Sequence, residues 1–212
     1  MDDLPLEILH ELVCDLSTYR ALLAIPAFAR SLTPSMRCDY MIRFGYRVEI
    51  TRDHIKWTLN GKLHRADEPA FIHINGRKDW FINGKRHRTD GPAIIYANGS
   101  QRWCVDGKRH RTDGPAIILA NGSQEWFING KLHRTDGPAV IGTNGSRRWY
   151  IDGKLHRTDG PAVISMDGSQ WWCINDKLHR TDGPAIIYAD GSQQWFIDGD
   201  QMTEEEFNRL KS

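Results

Sequence analysis

The sequence is poor in several things that would otherwise point to a function. It has 4 cysteines in 212 residues, at positions 14, 38, 104 and 173, with no spacing that suggests a disulfide framework or a metal knuckle. It has almost no net charge: 28 Lys+Arg against 27 Asp+Glu give +1. That balance removes the global electrostatic case for nucleic acid or an anionic membrane as partner. No apolar run reaches the roughly 18 residues of a membrane-spanning helix, so no integral membrane segment is expected. Asp2 and Asp3 stand where a secretory leader would carry basic residues. From Trp57 to Gly199 no helix-length apolar periodicity survives either, which excludes a helical or α/β fold for most of the chain. The expectation is a cytoplasmic protein with reduced thiols, mainly β.

What the chain has instead is repetition. The stretch Trp126-Phe-Ile-Asn-Gly-Lys-Leu-His-Arg-Thr-Asp-Gly-Pro-Ala-Val-Ile-Gly-Thr-Asn-Gly-Ser-Arg-Arg148 is one of six copies. Copies open at Trp57, Trp80, Trp103, Trp126, Trp149 and Trp172, always 23 residues on, and a seventh start at Trp195 stops after Gly199. His64, His87, His110, His133, His156 and His179 keep step, each followed by Arg and, two residues later, by Asp67, Asp90, Asp113, Asp136, Asp159 or Asp182. A period of this length marks an array of small supersecondary units.

Each copy is written in hairpin residues. Asn-Gly or Asp-Gly occurs twice per repeat, as at Asn129-Gly130 and Asn144-Gly145, and both pairs read as type I′ turns. Between them lie short β-rich segments such as Glu125–Ile128 and Pro138–Ile141. Two strands per copy stack Trp near Trp, whereas three would put alternate tryptophans on opposite edges, so two are predicted, with Gly-Lys-x-His-Arg-Thr-Asp-Gly as the longer connection. Each repeat then advances about 9.6 Å, and six make an antiparallel ribbon roughly 55–60 Å long. The alternative is a β-helix with one coil per repeat and columns about 4.8 Å apart. In the ribbon, Cys104 and Cys173 lie about 29 Å apart, far beyond the roughly 7 Å that a disulfide tolerates.

The pattern Trp-x-x-x-Gly-Lys-x-His, then Ala, then Gly-Ser resembles the MORN repeat, also 23 residues long. The resemblance covers residues 57–199 and is to a tryptophan-rich variant, with Arg65, Arg88, Arg111, Arg134, Arg157 and Arg180 where Gly is common. It implies an elongated antiparallel meander of six β-hairpin repeats.

Residues 1–45 are a different kind of sequence. Pro5 in a first helical turn, Leu4, Ile8, Leu9 and Leu12 at helical spacing, and breaks at Pro26 and Pro34 predict three or four short helices. The wording Leu4-Pro-Leu-Glu-Ile-Leu9, with Leu22-Leu23-Ala-Ile-Pro-Ala-Phe-Ala-Arg30, resembles the F-box. That resemblance implies that Leu4, Pro5, Ile8 and Leu9 dock on a Skp-type adaptor of cullin-based ubiquitin ligases; the plainer alternative is an end cap for the array. Residues 46–56 read as a lead-in strand, 57–200 as the array, and 201–212 as a capping helix. In that helix Thr203 and Glu206 form a capping box, and Phe207 and Leu210 face the last strand.

The repeated histidines suggest metal, but a column about 9.6 Å apart cannot bring two ligands to one zinc ion. His87, His110, His133 and His156, with Asp90, Asp113, Asp136 and Asp159, are therefore read as ties between connections and neighbouring repeats. Trp80, Trp103, Trp126, Trp149 and Trp172 are read as a stacked structural column. No catalytic residue and no cofactor is assigned, because each candidate recurs in every copy while an active site is a singular constellation. Strand alternation places Phe81, Phe127, Tyr150 and Phe196 opposite the tryptophans, and this more variable column is the expected partner-binding face. The function expected is a non-enzymatic interaction adaptor for a target protein, similar to F-box repeat proteins of large amoebal viruses, working in the host cytoplasm. The alternative is a MORN-type scaffold that self-associates or lies on a membrane surface.

Overall fold

The computed structural model describes residues 46–210. The helices predicted in residues 1–45, with the adaptor face at Leu4, Pro5, Ile8 and Leu9, lie outside the described residues. The described chain is mainly β, with one short helix, Glu204–Arg209. Among the described residues no helix is long and apolar enough to cross a membrane.

The backbone of the fold is a 16-stranded antiparallel sheet whose spatial order follows chain order. It starts at Tyr46–Ile50, which pairs along its whole length with His54–Leu59, and ends at Asp200–Met202 on Gln193–Ile197. Interior repeats give this sheet two strands each: one before the tryptophan, such as Gln101–Arg102, and one after the alanine, such as Ile117–Ile118. The antiparallel neighbours exclude the one-coil β-helix. A second hairpin hangs off each repeat as a separate two-stranded sheet: Phe81–Ile82 with Lys85–Arg86, Cys104–Val105 with Lys108–Arg109, and so on to Cys173–Ile174 with Lys177–Leu178. Each full repeat therefore holds four strands, not the two expected. Lys131-Leu132 is too short and too polar to announce a strand, yet a tight turn places it opposite Phe127-Ile128 regardless. Four is also even, so the stacking of like on like survives.

The two Asn/Asp-Gly pairs of a repeat are different turns. At Asn83-Gly84, Asp106-Gly107 and Asn129-Gly130 both residues have φ between 49° and 84°, the type I′ geometry that suits a two-residue hairpin. At the second pair only the glycine is left-handed, as at Gly99 with φ 85°. There Gly99 N–H donates to Tyr96 O at 3.0 Å and Tyr96 N–H to Ser100 O at 2.9 Å. This is a three-residue connection with glycine at the bulge, so the expected second type I′ turn is corrected. Asn98 serves it through its side chain, accepting from Ser100 N–H at 3.0 Å.

Tryptophan is the corner between the two sheets. Trp103 N–H donates to Ala116 O in the large sheet at 2.8 Å, while Trp103 O accepts from His110 N–H in the hairpin at 3.2 Å. Between those two partners the chain leaves as the loop Arg111–Pro115. The alanines that close the fork, from Ala70 and Ala93 through Ala185, are all 0 % exposed. Around them lie small core clusters such as Ala116, Ile117 and Phe127, with Trp103 and Leu132 packed against them. The core thus lies in separate small cells along the sheet.

Both ends depart from the pattern. At the start Glu68 replaces the loop glycine and supplies the carboxylate itself, accepting from Arg65 Nη2 at 2.6 Å. Late in the array Asp176 replaces a turn glycine at φ 69°, and its Oδ1 accepts from Leu155 N–H at 2.7 Å. At the far end the capping box of Thr203 and Glu206 is formed and Phe207 is buried. Leu210 is 71 % exposed, which corrects its expected place on the last strand: the helix opens only at Glu204 and has ended before a second apolar position reaches the sheet.

Candidate functional site

The loop that leaves the tryptophan fork folds back over it. In every repeat the arginine after the histidine lies face-on to the tryptophan eight residues earlier, from Arg65 over Trp57 to Arg180 over Trp172, at 4.0–4.2 Å from the ring centroid. A guanidinium at that distance gains from the ring's negative face. Arg111 Nε also donates to Asp113 Oδ1 at 2.9 Å, and its Nη1 to Pro115 O at 3.2 Å. Asp90, Asp136 and Asp159 hold Arg88, Arg134 and Arg157 in the same way. These hydrogen bonds keep Asp90, Asp113, Asp136 and Asp159 below the usual carboxylate range. The glycine of Asp-Gly-Pro leaves room for the guanidinium: a Cβ on Gly114 would meet Arg111 Cζ at 3.1 Å.

The histidines tie each repeat to the next. Nδ1 of His64, His87, His110, His133, His156 and His179 lies 2.9–3.1 Å from Oδ1 of the turn residue 19 positions on: Asn83, Asp106, Asn129, Asp152, Asn175 and Asp198. Two backbone bonds reinforce each link, as where Gly130 N–H donates to Arg109 O at 2.8 Å and Arg111 N–H to Phe127 O at 3.1 Å. The histidine thus makes the inter-repeat bond, whereas the Arg–Asp pair expected to share that task closes on its own loop. Among the described residues no group of three His, Cys, Asp or Glu side chains is placed to hold a metal ion.

Successive loops stand apart, leaving open clefts between them of about 440, 550 and 610 Å³. Each has the same construction. Trp103 and Val105, Trp126 and Ile128, or Trp172 and Ile174 form the floor, and two consecutive Arg-Thr-Asp loops form the walls. The expected division of faces is therefore corrected in part. Trp57 and Trp80 are buried, at 6 % and 7 % exposed, as a stacked structural column would be, but the column does not stay buried along the array. Trp103, Trp126, Trp149 and Trp172 keep part of their surface, and Phe127, placed on the binding face, is 6 % exposed in the core. Phe81, Tyr150 and Phe196 are half-buried, and Cys104 and Cys173 of the same column are buried. Alternation marks two faces but not which one the next repeat covers.

Two further polar features lie off this row. Asp79 is 2 % exposed, held by Arg77 through two bonds of 2.7 and 2.8 Å and by Arg86 at 3.3 Å. The Cys104 and Cys173 thiols are both free. Burial, with the Asp176 carboxylate adding to it, pushes Cys173 up to about 11. Neither thiol is a poised nucleophile. The recurring cleft is the candidate site, and the arginine's place over the tryptophan is what the sequence did not show. Set against models of known protein families and against curated proteins, the chain gives no match in either comparison.

Proposed function

We propose that this chain is a non-enzymatic interaction adaptor. Its array, a tryptophan-rich MORN-like series of 23-residue repeats, holds a target protein. Its N-terminal F-box-like segment recruits a Skp-type adaptor of a cullin ubiquitin ligase through Leu4, Pro5, Ile8 and Leu9. The observation that supports this most is the recurrence of one cleft, with the same floor and walls, at Trp103, Trp126 and Trp172. Shallow equivalent sites along a continuous sheet suit an elongated partner whose contacts add through effective concentration. By the same resemblance, the setting is the cytoplasm of a host cell.

The test is a pull-down with purified Skp-type adaptor, wild type against Leu4→Ala/Pro5→Ala/Ile8→Asp. Capture that this variant loses, with its β circular dichroism unchanged, supports the adaptor. No capture by well-folded wild type leaves a MORN-type scaffold with residues 1–45 as its end cap.

A further inference from the structure

Asn-Gly occurs seven times in the chain, and six of the seven are tied down twice. The dipeptide carries a chemistry of its own. The backbone nitrogen after an asparagine can attack the side-chain amide carbon, and glycine, lacking Cβ, hinders that approach least. At the bulged turns both reacting groups are engaged: Asn98 Oδ1 accepts from Ser100 N–H, and Gly99 N–H donates to Tyr96 O. Asn75, Asn121 and Asn144 are held likewise. At the type I′ turns the restraint comes from the repeat before. Asn83 Oδ1 lies 2.9 Å from His64 Nδ1, and Gly84 N–H donates to Leu63 O at 2.8 Å. Asn129-Gly130 is tied in the same way to His110 and Arg109.

Asn60-Gly61 is the exception. Its φ values of 50° and 74° make the same type I′ turn, but it belongs to the first repeat, which has no copy before it. The residue 19 positions earlier is Met41, where the later turns have histidine. Among the described residues neither the Asn60 side chain nor Gly61 N–H has a hydrogen-bond partner. A Cβ on Gly61 would meet nothing within 4 Å, whereas one on Gly84 would meet the Lys62 stem at 3.6 Å. Exposure does not separate the sites, since Asn60, Asn83 and Asn129 are all exposed. Nor does local sequence: Leu59-Asn-Gly-Lys62 and Ile82-Asn-Gly-Lys85 differ by one aliphatic residue.

We infer that Asn60-Gly61 is a site of spontaneous covalent modification, deamidation through a succinimide, and that each later type I′ Asn-Gly is protected by the repeat before it. Gly61 N forms a bond to Asn60 Cγ, the Cγ–Nδ2 bond breaks, and ammonia leaves with the proton that Gly61 N gave up. One water molecule then opens the ring at either carbonyl, leaving aspartate or isoaspartate at position 60. No oxidant or reductant is needed. The aspartate product fits the fold, because Asp106 and Asp152 already hold this turn position at φ 49° and 50°. The isoaspartate product adds a carbon to the main chain and breaks the two-residue turn. That loosens the hairpin from which Arg65 reaches over Trp57.

The experiment ages the full chain at mildly alkaline pH and follows it by tryptic peptide mapping. Trypsin releases Asn60 in Trp57–Lys62 and Asn83 in Asp79–Lys85, and electron-transfer fragmentation separates aspartate from isoaspartate. The native chain should lose Asn60 about tenfold faster than Asn83 or Asn129, the scale set by hydrogen bonds that must open first. In urea the three rates should converge. His64→Ala should raise the Asn83 rate several-fold and leave Asn129, held by His110, unchanged. Equal native rates at Asn60 and Asn83 overturn the inference. So does an Asn60 excess that survives in urea, which puts the cause in local sequence. An Asn83 rate that His64→Ala does not move refutes protection by the preceding repeat. The wild-type comparison decides the site whether or not that variant folds.

Discussion

The Arg111 guanidinium lies 4.1 Å from the Trp103 ring centroid while Arg111 Nε donates to Asp113 at 2.9 Å. A ring face and a carboxylate hold one side chain, and the flat fork of arginine suits both. Arg111→Lys keeps the charge but cannot stack and donate at once, and should cost about 1 kcal/mol. Urea unfolding of Arg111→Ala, Trp103→Leu and the double variant measures the coupling. A coupling energy near zero would show the stack to be incidental.

Two glycines of neighbouring segments should fail for different reasons. Gly130 has φ 84° and open space around an added Cβ beyond ordinary contact with Lys108, so Gly130→Ala pays in backbone strain, about 1 kcal/mol. Gly114 has no such φ, and its added Cβ meets Arg111 Cζ at 3.1 Å. The cost of Gly114→Ala should therefore vanish in an Arg111→Ala background, while that of Gly130→Ala persists. A double-variant cycle by chemical denaturation separates the two.

The alanine at the fork has no room to grow. Ala116 is 0 % exposed among Ile117, Phe127 and Trp103, and Ala116→Val should destabilise by about 1–3 kcal/mol through overpacking. Ala120, exposed on the bulged turn, takes the same substitution with little change. Thermal midpoints of the two variants compared with wild type decide it.

Cys173 gives a signature at alkaline pH. Its folded thiol titrates at about 11, above the ordinary value of about 8.5. The raised value means that its contribution to stability is complete below the unfolded value and is lost as pH rises through about 11. Thiolate absorbance of a Cys14→Ser/Cys38→Ser/Cys104→Ala variant should show a midpoint near 11 in the native state and near 8.5 in denaturant. A native midpoint near 8.5 sinks the prediction.

What was legible in the sequence was what is local or what repeats. The period is read by comparing copies, and the type I′ turn at Asn129-Gly130 and the Thr203–Glu206 capping box depend on residues within a few positions of each other. The four-strand count was hidden because Lys131-Leu132 has no strand character of its own and is paired by its turn. The covered face was hidden because Phe127 is buried by Ala116 and Ile117 of the preceding repeat, a relationship that alternation within one strand does not contain. The arginine over the tryptophan crosses eight residues and a fork between two sheets. Its trace in the sequence was the glycine three residues after each arginine from Arg88 to Arg180, which looks like a turn residue and is in fact clearance for a side chain.

The histidine link always points forward along the chain, from His110 to Asn129 and from His133 to Asp152. A repeat thus brings its own histidine for the next neighbour and its own turn acceptor for the previous one. A duplicated 23-residue segment would arrive with both halves of the junction, whichever of Asn or Asp it carried, and a deleted one would leave a matching pair behind. Length is then a heritable variable that can drift without reinventing the fold, and a lineage could lengthen or shorten the surface to suit what it holds.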